Sequence, residues 1–215
     1  MGRRKMDRIV VVGGGGHAKV LISVIRKTGR FDILGYTDPS DRGGILGVRY
    51  VGDDGVLASI LQSHPECAAV VAVGNVRVSA QRERIHSALE AIGFDLPVII
   101  SPHAVVNEGV VLGKGTVVLD GAVINSGSRI GECCIINTNA TVEHDCDLGD
   151  YVHVSPGAVL SGGVTVGRHS LIGAGASVVE YIEIAEGTII GAGAVVYASI
   201  HEPGTYVGSP LRKVK

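Results

Sequence analysis

The hydrophobic pattern of the chain changes character near residue 100. Stepping six residues at a time gives Ile100, Val106, Leu112, Val118, Ile124, Ile130, Ile136, Val142, Leu148, Val154, Leu160, Val166, Ile172, Val178, Ile184, Ile190 and Val196, with no slip in register. Neither a helix of 3.6 residues per turn nor a strand of period 2 produces a strict period of six. A coil with flat sides of six residues does. The residue four places after each of these is small or aliphatic at Val110, Thr116, Ala122, Ser128, Cys134, Ala140, Cys146, Val152 and Ala158, which fits a second inward position in a narrow interior. Gly113, Gly131, Gly149 and Gly167 recur at every third hexad, so three hexads make one turn of a triangular prism. Glycine is expected there because a sharp corner needs backbone angles that a Cβ resists. The pattern describes a parallel β-helix of about five and a half coils without inserted loops. Handedness cannot be read from the period. The flat Val and Ile faces offer a surface for self-association.

Residues 1–99 lack the hexad and read as a small parallel α/β unit. Arg8–Val12 is a buried strand, Gly13 to Gly16 a tight loop, and His17 to Thr28 a helix with Val20, Leu21, Val24 and Ile25 on one side. Ile33–Thr37 and Ala68–Val73 are further strands. Ser79 to Ile92 is a helix with Arg82, Glu83, Arg84 and Glu90 on its wet face. The expected domains are therefore 1–99 and 100–215.

Gly13-Gly14-Gly15-Gly16-His17-Ala18 fits G-x-G-x-x-A between a strand and a helix, with Asp38 some twenty residues on. Bare glycines let backbone N–H groups and the helix N-terminus approach a phosphate. Three or four strands leave room for half of a two-lobed site, so a mononucleotide diphosphate fits better than a dinucleotide; packing alone is the competing explanation of the glycines.

Composition agrees with this division. The chain has 32 Gly and no Trp, with 2 Phe and 6 Tyr, so the core must be built from aliphatic residues. Lys+Arg 19 against Asp+Glu 21 gives −2, with one basic cluster at Arg3, Arg4, Lys5 and Arg8, which argues against broad binding to nucleic acid or an anionic membrane. Ile9–Val12 is too short for a signal peptide or a bilayer span. Cys67, Cys133, Cys134 and Cys146 form no C-x-x-C pair and no zinc spacing. A cytoplasmic chain with reduced thiols is expected.

The segments Gly-Gly-His17-Ala-Lys19-Val, Tyr36-Thr37-Asp38, Gly74-Asn75, Asn137-Thr-Asn-Ala-Thr-Val-Glu143-His144-Asp145-Cys146, His153-Val-Ser-Pro-Gly157 and Tyr206-Val-Gly-Ser-Pro210 together resemble the bacterial nucleotide-sugar N-acetyltransferases of the hexapeptide-repeat family. These acetylate the 4-amino group of UDP-linked bacillosamine precursors or of GDP-perosamine. The resemblance implies a Rossmann-like N-terminal domain, a left-handed β-helix, acetyl-CoA as cosubstrate, no metal, and a homotrimer with active sites between subunits. It implies that Gly15, Gly16, His17, Asp38, Gly74 and Asn137 bind the nucleotide-linked amino sugar. It implies that His153, Gly162, Ala174 and Ala192 lie along the acetyl-CoA path, Gly162 as a candidate oxyanion donor. His144 is the implied general base, since a neutral imidazole can take a proton from an attacking amine near neutral pH, and Asp145 its orienting carboxylate. Adjacent strand residues face opposite ways, so Asp145 is expected to act at a corner or through water. Many relatives carry two acidic residues where this chain has Asp38-Pro39, which leaves the choice of base open.

Other readings make different demands. A zinc carbonic anhydrase of this fold needs a histidine column, but the positions one and two coils above His144 are Gly162 and Glu180, and His153 and His169 are out of phase with the three-hexad turn. An O-acetyltransferase acting on a sialic-acid-type hydroxyl could use the same histidine. A scaffolding solenoid would have no use for Glu-His-Asp-Cys. An acetyl-cysteine route is disfavoured because Cys134 and Cys146 occupy inward positions.

Overall fold

The computed structural model describes residues 7–74, 80–208 and 212–214. Arg3, Arg4, Lys5, Asn75, Ser79, Ser209 and Pro210 lie outside the described residues. The described residues fall into two compact units, the first comprising 7–74 and 81–102 and the second comprising 80 with 103–208 and 212–214.

In the first unit β1 (Asp7–Val12), α1 (Gly16–Thr28), β2 (Phe31–Thr37), β3 (Tyr50–Gly52), α2 (Leu57–Ser63), β4 (Ala68–Val71) and α3 (Gln81–Ile92) follow in order. The sheet is parallel throughout, in the order β3-β2-β1-β4. Its chain order reverses between β1 and β4. A ligand crevice is expected beyond the strand C-termini at such a reversal, and the Gly13–Gly16 loop stands there. β3 and α2 go beyond the elements that the sequence pattern predicts. β3 is only three residues long and α2 seven, too short for a hydrophobic period to declare itself.

Two expected surfaces shift. The buried stripe of α1 is Ala18, Leu21, Ile22 and Ile25, the i, i+3, i+4, i+7 set, widened by Val24. Val20 faces solvent. In α3, Arg82 is buried instead of wet, and its guanidinium donates to the Val73 carbonyl at 3.0 Å. A charge is tolerated at a buried position when its donors find acceptors.

The second unit is the left-handed parallel β-helix. Two-residue strands stack one coil apart on three faces. Ile135–Ile136 pairs with Val117–Val118 and His153–Val154 on the first face. Thr141–Val142 pairs with Val123–Ile124 and Val159–Leu160 on the second. Asp147–Leu148 pairs with Arg129–Ile130 and Thr165–Val166 on the third. Both inward columns are as expected from Val118 upward. Ala122, Ala140, Ala158, Ala176 and Ala194 stack in one column, leaving no room for rings. Ile100 is exposed instead of inward and falls within the first unit.

The glycines expected at the corners serve another purpose. The left-handed backbone recurs every six residues, through Gly109, Gly115, Gly121, Gly127, Cys133, Asn139, Asp145, Tyr151, Gly157, Gly163, His169, Gly175, Tyr181, Gly187 and Gly193. Gly113, Gly131, Gly149 and Gly167 are not among these. They are glycine because neighbouring coils touch there: a Cβ on Gly113 would stand 2.5 Å from the Gly131 carbonyl carbon, and one on Gly149 would stand 2.7 Å from the Arg168 nitrogen.

Candidate active site

The solenoid edge between the second and third faces carries His144 and Asp145. They lie in a corner turn between Thr141–Val142 and Asp147–Leu148, not within a strand. Asp145 has φ +59°, a region that asparagine and aspartate visit more readily than other side chains. That conformation turns its carboxylate back, and Asp145 Oδ2 accepts directly from His144 Nδ1 at 2.9 Å. No water is needed, contrary to the expectation from strand alternation. A carboxylate only accepts, so the imidazole proton sits on Nδ1 and Nε2 is the basic nitrogen. Both side chains are open to solvent in the single chain, at 55% and 72% exposure.

Stacking provides the space around them. Gly127, one coil below, leaves room for the Asp145 carboxylate. Gly162, one coil above, lies against the ring: a Cβ there would be 2.5 Å from His144 Nε2 and 2.6 Å from Cε1. Its φ is outside the left-handed region, so proximity alone demands glycine.

A second group occupies the edge between the first and second faces. His153 begins a first-face strand, is nearly buried, and its Nε2 lies 3.1 Å from Asn137 Nδ2. Asn137 and His153, expected to serve different substrates, are thus hydrogen-bonded to each other. Ala174 and Ala192 stand one coil apart on this edge, both exposed, beside Gly157, Gly175 and Gly193, over which nothing lies within 4 Å. The result is a smooth open rail. Within one chain the second face separates this group from His144, Asp145 and Gly162.

The second face differs from the third in chemistry. Its outward column is Val105, Val123, Thr141, Val159, Ser177 and Val195, with Val105, Val159 and Val195 exposed by 50%, 36% and 37%. The third face presents Val111, Arg129, Asp147, Thr165 and Glu183.

Cys134 and Cys146 are buried, their thiols donating to the carbonyls of Gly149 and Ser161, each at 3.2 Å. Burial raises the Cys146 pKa above its ordinary value, which withholds the thiolate that a covalent route would need.

In the first unit the glycines of the loop divide by purpose. Gly13 has φ +118°, and a Cβ on Gly14 would stand 2.8 Å from the Tyr36 ring, so the fold itself demands both. At Gly15 and Gly16 a Cβ would meet nothing within 4 Å, and neither has positive φ. Gly15 caps α1 without any side-chain hydrogen bond. Gly15 and Gly16, the two glycines of this loop expected to bind the nucleotide, are therefore the two for which packing offers no reason. Gly74 stands beside this loop, its would-be Cβ 3.4 Å from His17 Cβ.

Asp38 is more internal than expected. Its carboxylate accepts from Gly14 N at 3.0 Å, Ser40 N at 3.1 Å and Arg42 Nε at 3.1 Å. Burial pushes its pKa up, but these bonds and the Arg42 charge outweigh that and hold it below the ordinary value. Asp38 pins the glycine loop to the end of β2. Sequence reasoning missed Arg42 and the buried Tyr36, whose hydroxyl donates to Gly43 O at 2.8 Å and accepts from Arg42 N at 2.9 Å. Within its own segment Tyr36 is only part of a strand end, and nothing local marks Arg42. A surface cavity of about 460 Å³ in this unit is lined by Arg26, Phe31, Leu34, Arg49 and neighbours at the opposite end of β2 from the glycine loop.

Comparison with known proteins follows the same division. The PglD N-terminal domain family matches residues 8–89, and the bacterial transferase hexapeptide family matches residues 127–162. A curated UDP-N-acetylbacillosamine N-acetyltransferase of Bacillus subtilis (strain 168) is 36% identical over 115 residues, 53% of this chain and 52% of that protein. The match thus spans about half the length of that relative. Among solved structures, the acetyltransferase domain of PglB from Neisseria gonorrhoeae FA1090 is 36% identical over 97% of this chain and 100% of that one, with a TM-score of 0.91. A histidine-to-asparagine mutant of perosamine N-acetyltransferase from Caulobacter crescentus, in complex with CoA and GDP-perosamine, is 36% identical over 98% of both chains, with a TM-score of 0.92.

Proposed function

The chain belongs to the hexapeptide-repeat nucleotide-sugar N-acetyltransferases, and on that premise we propose that it transfers acetyl from acetyl-CoA to the 4-amino group of a GDP- or UDP-linked 4-amino-4,6-dideoxy sugar. The observation that carries the reading is the His144–Asp145 hydrogen bond of 2.9 Å beneath Gly162. Asp145 holds Nδ1–H and leaves Nε2 to accept the proton of the attacking amine. The amine lone pair forms the C–N bond, the thioester C–S bond breaks, and the proton held at Nε2 passes to the departing CoA thiolate. Gly15, Gly16, His17 and Gly74 hold the nucleotide, with Asp38 shaping their loop. Asn137 and His153 position the reacting groups, and Ala174 and Ala192 line the pantetheine path.

The working form is a homotrimer with sites between subunits. Packing through the second face supports this, because it would bring the rail edge of one copy against the His144 edge of the next and cover the exposed valines. No helix among the described residues is long and apolar enough to cross a membrane. Use of acetyl-CoA as cosubstrate supports a cytoplasmic enzyme.

Thiol release from acetyl-CoA, followed with UDP-, GDP- and dTDP-linked 4-amino sugars and with the corresponding 4-hydroxy sugars, tests the reaction. Release with an amino sugar, abolished in His144→Ala, is expected. Release only with a hydroxy sugar would make the enzyme an O-acetyltransferase, and none with any substrate would refute the reading. Mixing inactive His144→Ala with inactive Asn137→Ala subunits should restore part of the activity if the site spans two copies.

A further inference from the structure

At three corners of the solenoid a hydroxyl one coil below bridges the turn from inside. Ser128 is fully buried in the interior column beneath the His144 turn. Its hydroxyl donates to the Glu143 carbonyl at 2.7 Å and accepts from the Cys146 N–H at 3.1 Å. Those two backbone groups flank His144 and Asp145 on either side. A hydroxyl has one proton to give and lone pairs to receive, so a single side chain closes both ends of the turn.

We propose that Ser128 is a positioning residue for catalysis, anchoring the backbone at both ends of residues 143–146 and thereby keeping the Asp145 carboxylate in place on His144 Nδ1. The inference rests on His144 being the base. The coil ladder also holds this turn, through Glu143 N–H to the Leu160 carbonyl at 2.9 Å, Asp145 N–H to Ser126 at 3.1 Å, Gly163 N–H to His144 at 2.9 Å and Arg129 N–H to Cys146 at 2.8 Å, but the Ser128 hydroxyl ties its two ends to one another. With the bridge removed, the Glu143 carbonyl and the Cys146 N–H lose their shared anchor, residues 143–146 shift within the corner, and the carboxylate moves off Nδ1.

The same device occurs where no chemistry is assigned, which supplies the control. Ser170 donates to Ala185 O at 3.1 Å and accepts from Thr188 N at 3.2 Å, and Thr116 bridges Gly131 O and Cys134 N at 2.7 and 3.0 Å. Both act at the edge between the third and first faces, which carries none of the proposed site residues.

Ser128→Ala and Ser170→Ala should lose similar thermal stability, each leaving two backbone groups without their bridge. Only Ser128→Ala should lose kcat, by about tenfold or more, since small displacements of a catalytic group are costly, while KM for acetyl-CoA and for the amino sugar stays within about twofold. Ser128→Thr, which keeps the hydroxyl, should recover kcat. In an Asp145→Asn background the Ser128→Ala loss should disappear, because the two act on one contact. If Ser128→Ala does not fold, Ser128→Cys gives a graded version, cysteine being the residue one coil higher at position 146. Equal kcat in Ser128→Ala and Ser170→Ala, full additivity with Asp145→Asn, or an unchanged kcat in Ser128→Cys would each overturn the proposal. Failure of the underlying reading shows separately, as retained turnover in His144→Ala.

Discussion

Replacing Gly162 with alanine adds one methyl group directly over the imidazole of His144. The new Cβ would stand 2.5 Å from Nε2, where ordinary van der Waals contact begins at 3.4 Å, so the ring must retreat by about 0.9 Å (3.4 − 2.5). A displacement of about 1 Å at a catalytic group costs on the order of 100-fold in rate, or about 2.7 kcal/mol of transition-state stabilisation. Stability should barely change. Gly162 does not have positive φ, alanine keeps its N–H, and His144 is solvent-exposed enough to move without disturbing the core. Steady-state kinetics beside a thermal melt should therefore give kcat about 100-fold down, KM for both substrates nearly unchanged, and Tm within about 3 °C of the parent. The neighbouring Gly163→Ala is the contrast: it places a side chain at φ +67° and against the Tyr181 ring, so it should lower Tm by several times more. Wild-type kcat in Gly162→Ala would refute the reasoning, because it would mean that Gly162 contributes its N–H alone and not space for the ring.

Asp38→Asn replaces an acceptor of three bonds with an amide that can satisfy only some of them, and should cost about 2 kcal/mol while raising KM for the nucleotide sugar and leaving KM for acetyl-CoA alone. Because the Asp38 pKa is lowered in the fold, its contribution is present above about pH 4 and lost as pH falls through the folded value; acid melts of Asp38→Asn should show a shallower decline than the parent. Burial pushes the Cys67 thiol up to about 11, so its neutral form stabilises the fold below about pH 8.5 and that contribution falls away as pH rises towards the folded value. Melts of Cys67→Ala across this alkaline range should lack that decline, though the variant starts less stable. Cys146→Ser, which keeps a donor for Ser161 O but places a more polar atom in the interior, should lower Tm more than kcat; a fully folded variant without turnover would revive the covalent route.

Tyr181 and Asp145 show the limit of the hexad pattern. The period of six locates them in one corner register, but not that side chains of these sizes are seated there by Gly163 and Gly127 in neighbouring coils. His144 and Asp145 can be picked out as residues, whereas their direct bond cannot. Strand alternation speaks against it, and only the positive φ at Asp145 reverses that expectation. Arg82 and Asp38 depart from their local reading in the same manner. Each is fixed by a partner in another segment, Val73 O for the arginine and Gly14 N for the aspartate.

The backbone repeat was legible from residue types alone: the prism, its inward columns, the glycine loop ahead of α1, and the family motifs. Those follow from local periodicity, because a coil that adds one rung per three hexads writes its geometry into every sixth side chain. Three features came only from the packing of coil on coil: that the expected site residues fall on two edges separated by an apolar face, that Gly162 leaves space over the His144 ring, and that a buried serine bridges the turn from residue 143 to residue 146. These depend on which atoms meet between coils and between strands. Such meetings are set by angstrom-scale packing, to which a pattern of residue types is blind.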